Sequence, residues 1–277
     1  MLPIRDRNPT GTTPVVTILL ILVNVAVFVL WQGGGSFSAN DEAKFDYEHA
    51  AIPCELVTGH PITDVEVAHD ACINNPPQGA LAFFPDKNVY LAAVVSMFLH
   101  GGWFHLLGNM LFLWIFGNNI EDKLGSGRFL VFYLFAGLIA TAAQVGFSSH
   151  SVIPLIGASG AIAGVMGAYL VWFPWAPVLT LVFVFLVEIP AGLWLAVWFV
   201  LQFFTGPNSD VAYVAHVGGF VFGIVVAMFV RQTEWWRQRQ LTSPTGWTGT
   251  SRQTWPGQGP RRRVWDRWRS PHRSPRR

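Results

Sequence analysis

Charge is what this sequence has least of. Of its 277 residues only 12% are Asp, Glu, Lys or Arg, while 52% are hydrophobic; a soluble domain carries about twice that share of charge. With a mean hydropathy of +0.39 and several long apolar runs, the balance excludes an ordinary soluble globule and indicates a multi-pass membrane protein. Cysteine is almost as scarce. Cys54 and Cys72 have 17 residues between them and no Cys-x-x-Cys partner, which leaves no structural zinc site. No His-Glu-x-x-His occurs, so a zinc site of that type is missing too. Glu188 is the one acidic residue inside the apolar core regions, which argues against an aspartyl pair at membrane depth. Neither a metal nor a cofactor is expected.

The apolar runs divide the chain. Pro14 to Trp31 is a first span; it has 18 residues and no Ala-x-Ala-like site behind it, so it reads as retained rather than as a cleavable signal. Gln32 to Asn88 is hydrophilic and holds nine of the sixteen acidic residues, with only Lys44 and Lys87 as cations. Val89 to Leu99 is expected to lie at the interface or dip in, and Trp103 to Phe116 is a second span. Asn118 to Arg128 is a short charged turn, and Phe129 to Phe147 a third span. Ser148 to Leu155 is a polar connection before a fourth span, Ser159 to Phe173. Ile189 to Phe204 forms a fifth, and Val178 to Val187 is too short to cross alone as a helix. Thr205 to Asp210 is a turn, and Val211 to Val230 a sixth span.

Positive charge orients these segments. The arm 1–13, the turn at Asn118 to Arg128 and the tail 231–277 hold sixteen of the eighteen Lys and Arg, twelve of them in the tail. The positive-inside rule puts all three in the cytoplasm, which requires an even number of spans. The expected fold is an all-α membrane protein, a six-helix bundle over 14–230 with both termini cytoplasmic and 32–88 as an extracytoplasmic loop. The tail lacks apolar periodicity and is expected to be disordered. Its arginines retain it in the cytoplasm and can lie on anionic membrane lipid; the Trp and Arg interleaving there is explained by the interface, and no nucleic acid is expected as a partner. Cys54 and Cys72 fall on the exported side, where they can pair or stay free.

That topology brings polar residues to one depth. Ser159 lies at the outer end of span four, in the small-residue stretch Ile156 to Gly164. A serine in a membrane helix most often bonds a carbonyl one turn back. Here, however, His216 on span six lies about 8 Å into its helix from the same side, and His105 and Asn109, at i and i+4, share one face of span two. Gly160-xxx-Gly164 and Gly219-xxx-Gly223 are small-xxx-small pairs that let spans four and six approach. A neutral histidine can activate a serine hydroxyl, and the resulting oxyanion needs donors already aimed at it, for which Asn109, one nitrogen of His105 and the backbone N–H groups around Ser159 are candidates.

Three ordered motifs then carry a resemblance: His100-Gly101-Gly102-Trp103-Phe104-His105-Leu106-Leu107-Gly108-Asn109-Met110, Gly157-Ala158-Ser159-Gly160, and Ala215-His216-Val217-Gly218-Gly219-Phe220-Val221-Phe222-Gly223. With them the chain resembles the rhomboid family of intramembrane serine proteases, and the expected fold becomes a six-transmembrane-helix rhomboid-like bundle. The resemblance implies Ser159 as nucleophile and His216 as base, a dyad without a third carboxylate, with His105 and Asn109 supporting the oxyanion. It implies that Gly157 permits the tight entry to the serine helix, that Gly160, Gly219 and Gly223 provide close packing, and that His100 is structural. The expected substrates are single-pass transmembrane proteins cut near the outer interface, and the expected location is the cell membrane, the plasma membrane of a bacterium. The competing readings are a rhomboid-like protein that binds transmembrane helices without cutting them and, in another class, a small-solute transporter. The chain departs from the family at Ala163, where some members stack an aromatic ring on the catalytic histidine. It also lacks the Trp-Arg pair of well-known bacterial members in the loop between the first two spans.

Overall fold

A computed structural model describes residues 1–204 and 212–232. The expected turn at Thr205 to Asp210, and the tail beyond Gln232, lie outside the described residues. In chain order the elements are β1 (Leu2–Asp6), α1 (Val15–Ala26), α2 (Ala39–His49), α3 (Pro53–Thr58), α4 (Asp64–His69), α5 (Val89–Val95), α6 (Trp103–Phe112), α7 (Asn118–Leu124), α8 (Ser126–Phe147), α9 (Ser159–Trp172), β2 (Pro177–Val182), β3 (Phe185–Pro190), α10 (Ala191–Gln202) and α11 (Tyr213–Gln232).

α8 and α11 are long and apolar enough to cross a membrane. A third candidate is the bent pair Val89–Phe98 and Trp103–Leu124, which turns through 79° at its break. Val15–Trp31, Ser159–Trp172 and Ala191–Gln202 are shorter apolar helices. α9 sits at the centre: every residue from Gly160 to Tyr169 is buried, the mark of a helix apolar on all sides. Small residues let its neighbours come close. A Cβ on Gly160 would stand 2.6 Å from the Ala140 Cβ on α8, and one on Gly164 would stand 2.6 Å from the Ala136 Cβ. On the other side, a Cβ on Gly219 or Gly223 of α11 would run into the carbonyls of Gly160 or Gly164. Backbone thus lies against backbone, which is how membrane helices gain packing energy when water supplies no driving force between them.

Two expectations are corrected. The protein is mostly helical but not all-α. β1, β2 and β3 form an antiparallel sheet in that order, with Leu2 opposite Leu181, Asp6 opposite Val178, and Val178 opposite Ile189. Val-Leu-Thr-Leu-Val and Phe-Leu-Val-Glu-Ile are β-branched apolar runs bounded by proline, which by periodicity alone cannot be told from buried helix. Asn118 to Arg128 is not a turn: it contains α7 and the start of α8. α7 sets Glu121 against the start of α1. The first N–H groups of a helix lack internal partners, and α1 begins after a proline with no side-chain cap of its own. Buried Glu121 supplies the cap, accepting from the backbone N–H of Val16 at 2.9 Å, and from the N–H and hydroxyl of Thr17 at 2.8 Å each.

The hydrophilic stretch 32–88 is built rather than open. Thr63 and Glu66 close a capping box on α4, Pro53 opens α3 and Gly59 ends it at φ +77°, and Cys54 and Cys72 form a disulfide. Lys87 is buried against Glu55, 2.6 Å from its carboxylate. Desolvation pushes the Glu55 carboxyl up and the Lys87 ammonium down, and the ion pair opposes both.

Candidate active site

Ser159 is the first residue of α9, so the turn behind it is not helix. Gly157 enters at φ +123°, a conformation that a side chain disfavours, and its N–H donates to the Ser96 carbonyl at 2.9 Å. This turn points the serine hydroxyl away from its own helix. The hydroxyl meets His216 in the first turn of α11: Ser159 Oγ and His216 Nε2 are 2.7 Å apart. The Gln144 amide oxygen accepts from the Ala215 N–H at 3.2 Å, which satisfies one of the unpaired donors at the start of α11.

His105 stands on the other side of the serine. A Cβ added to Gly157 would lie 2.9 Å from His105 Cε1, 3.0 Å from Nε2 and 3.5 Å from Ser159 Oγ. Glycine therefore leaves open the space between that ring edge and the hydroxyl. The Gly101 N–H donates to His105 Nδ1 at 3.3 Å, so in the neutral ring Nε2 carries the hydrogen. Asn109 is buried, and its amide donates to the His105 carbonyl at 3.0 Å; that bond uses one of its two N–H groups. His100 packs its ring edge-on against His105, with centroids 5.2 Å apart, and Gln32 clamps its backbone, accepting from its N–H at 2.9 Å and donating to its carbonyl at 3.2 Å.

The structure brings in residues the sequence reading did not single out. His216 Nδ1 is 2.7 Å from Gln202 Oε1, and the Gln202 amide nitrogen donates to the Trp198 carbonyl at 3.1 Å. The Trp198 ring lies 5.9 Å from the imidazole, tilted by 39°. Ala163 is buried and offers no ring, so α10 holds the histidine that an aromatic residue on α9 would otherwise cover. A signal existed: Gln202 and Gln144 are isolated amides in apolar runs, and polar groups at membrane depth are costly enough to mark a site. Cys54, Glu66 and Cys72 cluster within metal-ligand distance of one another, but both sulfurs are committed to the disulfide.

A family model described as Rhomboid domain matches residues 87–233, which takes in Ser159, His216, His105, Asn109 and Gln202. The chain is similar to Rhomboid protein 1, mitochondrial, of Saccharomyces cerevisiae, at 29% identity over 166 residues, covering 57% of this chain and 47% of the relative. It is similar to Rhomboid protease GlpG of Yersinia enterocolitica at 28% over 154 residues, covering 54% and 52%. A shorter stretch of 72 residues is 49% identical to Rhomboid protease GluP of Bacillus subtilis, covering 26% and 14%. The chain thus spans about half or less of the length of these curated relatives. It belongs to the rhomboid family.

Proposed function

We propose that the protein is an intramembrane serine endopeptidase. The observation that carries this reading is the 2.7 Å hydrogen bond between Ser159 Oγ and His216 Nε2, beside a space that Gly157 leaves open to the His105 ring edge. His216 takes the proton of Ser159 as the hydroxyl attacks a peptide carbonyl, and later delivers it to the leaving amine. His105 Nε2–H, the second N–H of Asn109 and the Ser159 backbone N–H, at the positive end of α9, are the donors that hold the oxyanion.

In this reading the six apolar segments form six spans, both ends are cytoplasmic and 32–88 is extracytoplasmic. The Cys54–Cys72 disulfide supports an exported, oxidising side for that region. The dyad sits toward the same side, in the plasma membrane of a bacterium. Substrates are single-pass transmembrane proteins whose helix unwinds near the outer interface, because carbonyls within an intact helix are already hydrogen-bonded.

The test is cleavage of a panel of transmembrane substrates in liposomes by the wild type and Ser159→Ala, with fluorophosphonate labelling of both. Cleavage and labelling lost together in Ser159→Ala are expected. Cleavage that persists in a folded Ser159→Ala variant refutes the proposal, and wild type that neither labels nor cleaves favours a helix-binding protein.

A further inference from the structure

We infer that Gln202 is the positioning residue for His216, a neutral third member that holds the imidazole in the one tautomer able to act as base. The inference rests on the serine-protease reading of the site.

The Trp198 carbonyl can only accept. The Gln202 group 3.1 Å from it must therefore be the amide nitrogen; a flipped amide would set two oxygens against each other. That leaves Oε1 facing His216 Nδ1 at 2.7 Å. An amide oxygen also only accepts, so Nδ1 must carry a hydrogen. A neutral imidazole has one N–H, so Nε2 keeps its lone pair, and Nε2 is the atom 2.7 Å from Ser159 Oγ. The relay runs from a backbone carbonyl through an amide and an imidazole to the hydroxyl, each group setting the next.

The choice of an amide has a physical reason. A carboxylate in this position would hold the imidazolium more strongly, but an isolated anion at membrane depth costs several kcal/mol. An amide orients the ring at far lower desolvation cost. It also accepts a charge-assisted bond once His216 takes the serine proton. Gln202 ends α10, buried at 8% exposure, so the tautomer depends on α10 lying against α11. A movement of α10 that separated Gln202 from Nδ1 would release the ring from its reactive tautomer.

The test compares wild type, Gln202→Leu, Gln202→Met and Gln202→Glu in liposomes, with a thermal melt on each to establish folding. Gln202→Leu is expected to lower kcat about 10–100-fold, the size of effect seen when the partner that orients a metal-bound histidine is lost, with KM within twofold of wild type. Gln202→Met, of similar length, serves where the leucine variant does not fold and carries the same expectation. Gln202→Glu, held as the neutral acid by burial at this depth, donates its O–H to the Trp198 carbonyl and keeps an acceptor facing Nδ1, and is expected to recover kcat to within tenfold of wild type. Nitrogen-15 NMR of histidine-labelled protein supplies a readout independent of turnover, with the His216 signals identified by their loss in His216→Ala. Wild type should show Nδ1–H alone, and Gln202→Leu a mixture of tautomers. Unchanged kcat in the folded apolar variants, or an unchanged tautomer, overturns the inference. Cleavage by Ser159→Ala would instead overturn the protease reading, and the tautomer measurement would still decide the role of Gln202.

Discussion

Gly219→Ala asks whether the close approach of α9 and α11 sets the chemistry. The new methyl would run into the Gly160 carbonyl, and Gly160 directly follows Ser159 while Gly219 lies one turn beyond His216. Along the same seam Gly223 meets the Gly164 carbonyl and Gly167 meets the Phe220 carbonyl, so beside the clash the helices have no free space to take up the methyl. They must part by on the order of 1 Å, at an overpacking cost of about 1–3 kcal/mol. A displacement of that size stretches the 2.7 Å Ser159–His216 bond beyond hydrogen-bonding range, and misplacing a catalytic group by about 1 Å costs on the order of 100-fold in rate. Cleavage kinetics of a reconstituted substrate, with a thermal melt on the same samples, measures both effects. Gly223→Ala is the control: it makes the same kind of clash about 10 Å further along α11 from His216, so it should lower the melting temperature similarly with a smaller loss of rate. A Gly219→Ala protein with wild-type rate and melting temperature would refute the argument that these glycines hold the dyad together.

Asp6 on β1 accepts from the Tyr169 hydroxyl at 2.6 Å and from the Asn119 amide at 2.7 Å, yet burial pushes its carboxyl up from 3.8 to about 6, against those bonds. A raised folded value means the protonated form is favoured, so the stability Asp6 contributes is complete below about pH 4 and is lost as pH rises through about 6. The melting temperature of wild type relative to Asp6→Asn should therefore fall between pH 4 and pH 7, and a constant difference would contradict this. The Cys54–Cys72 disulfide closes a separation of 18 residues, for which loop entropy predicts about 3 kcal/mol. A Cys54→Ser/Cys72→Ser protein should melt lower than wild type, and an equal melting temperature with and without the bond would remove the disulfide from the stability of this region.

Much of this protein was legible in its sequence, for identifiable reasons. Apolar runs mark where α1, α6, α8, α9, α10 and α11 form, of which α8 and α11 are long and apolar enough to cross a membrane, and the bend after Val89 to Leu99 was visible at His100-Gly101-Gly102. The sheet was not legible. Runs such as 178–182 and 185–189 satisfy strand and buried-helix patterns equally, and although they pair with each other, the first is also paired on its other edge by β1, more than 170 residues away. Glu121 looked like part of a charged turn because its partners, Val16 and Thr17, lie over 100 residues earlier.

The site divides along the same line. By itself the sequence determined the kinds of group available, Ser159 and His216 with His105 and Asn109, and through its glycines which helix faces could touch. Tertiary structure decided which atoms meet: Nε2 rather than Nδ1 toward the serine, the His105 edge beside Gly157, and Gln202 behind the imidazole. The physical reason is range. Hydrophobicity, charge bias and small-residue spacing act locally and can be read along a chain. A tautomer is set by hydrogen bonds that converge from α9, α10 and α11, and it exists only once those helices pack.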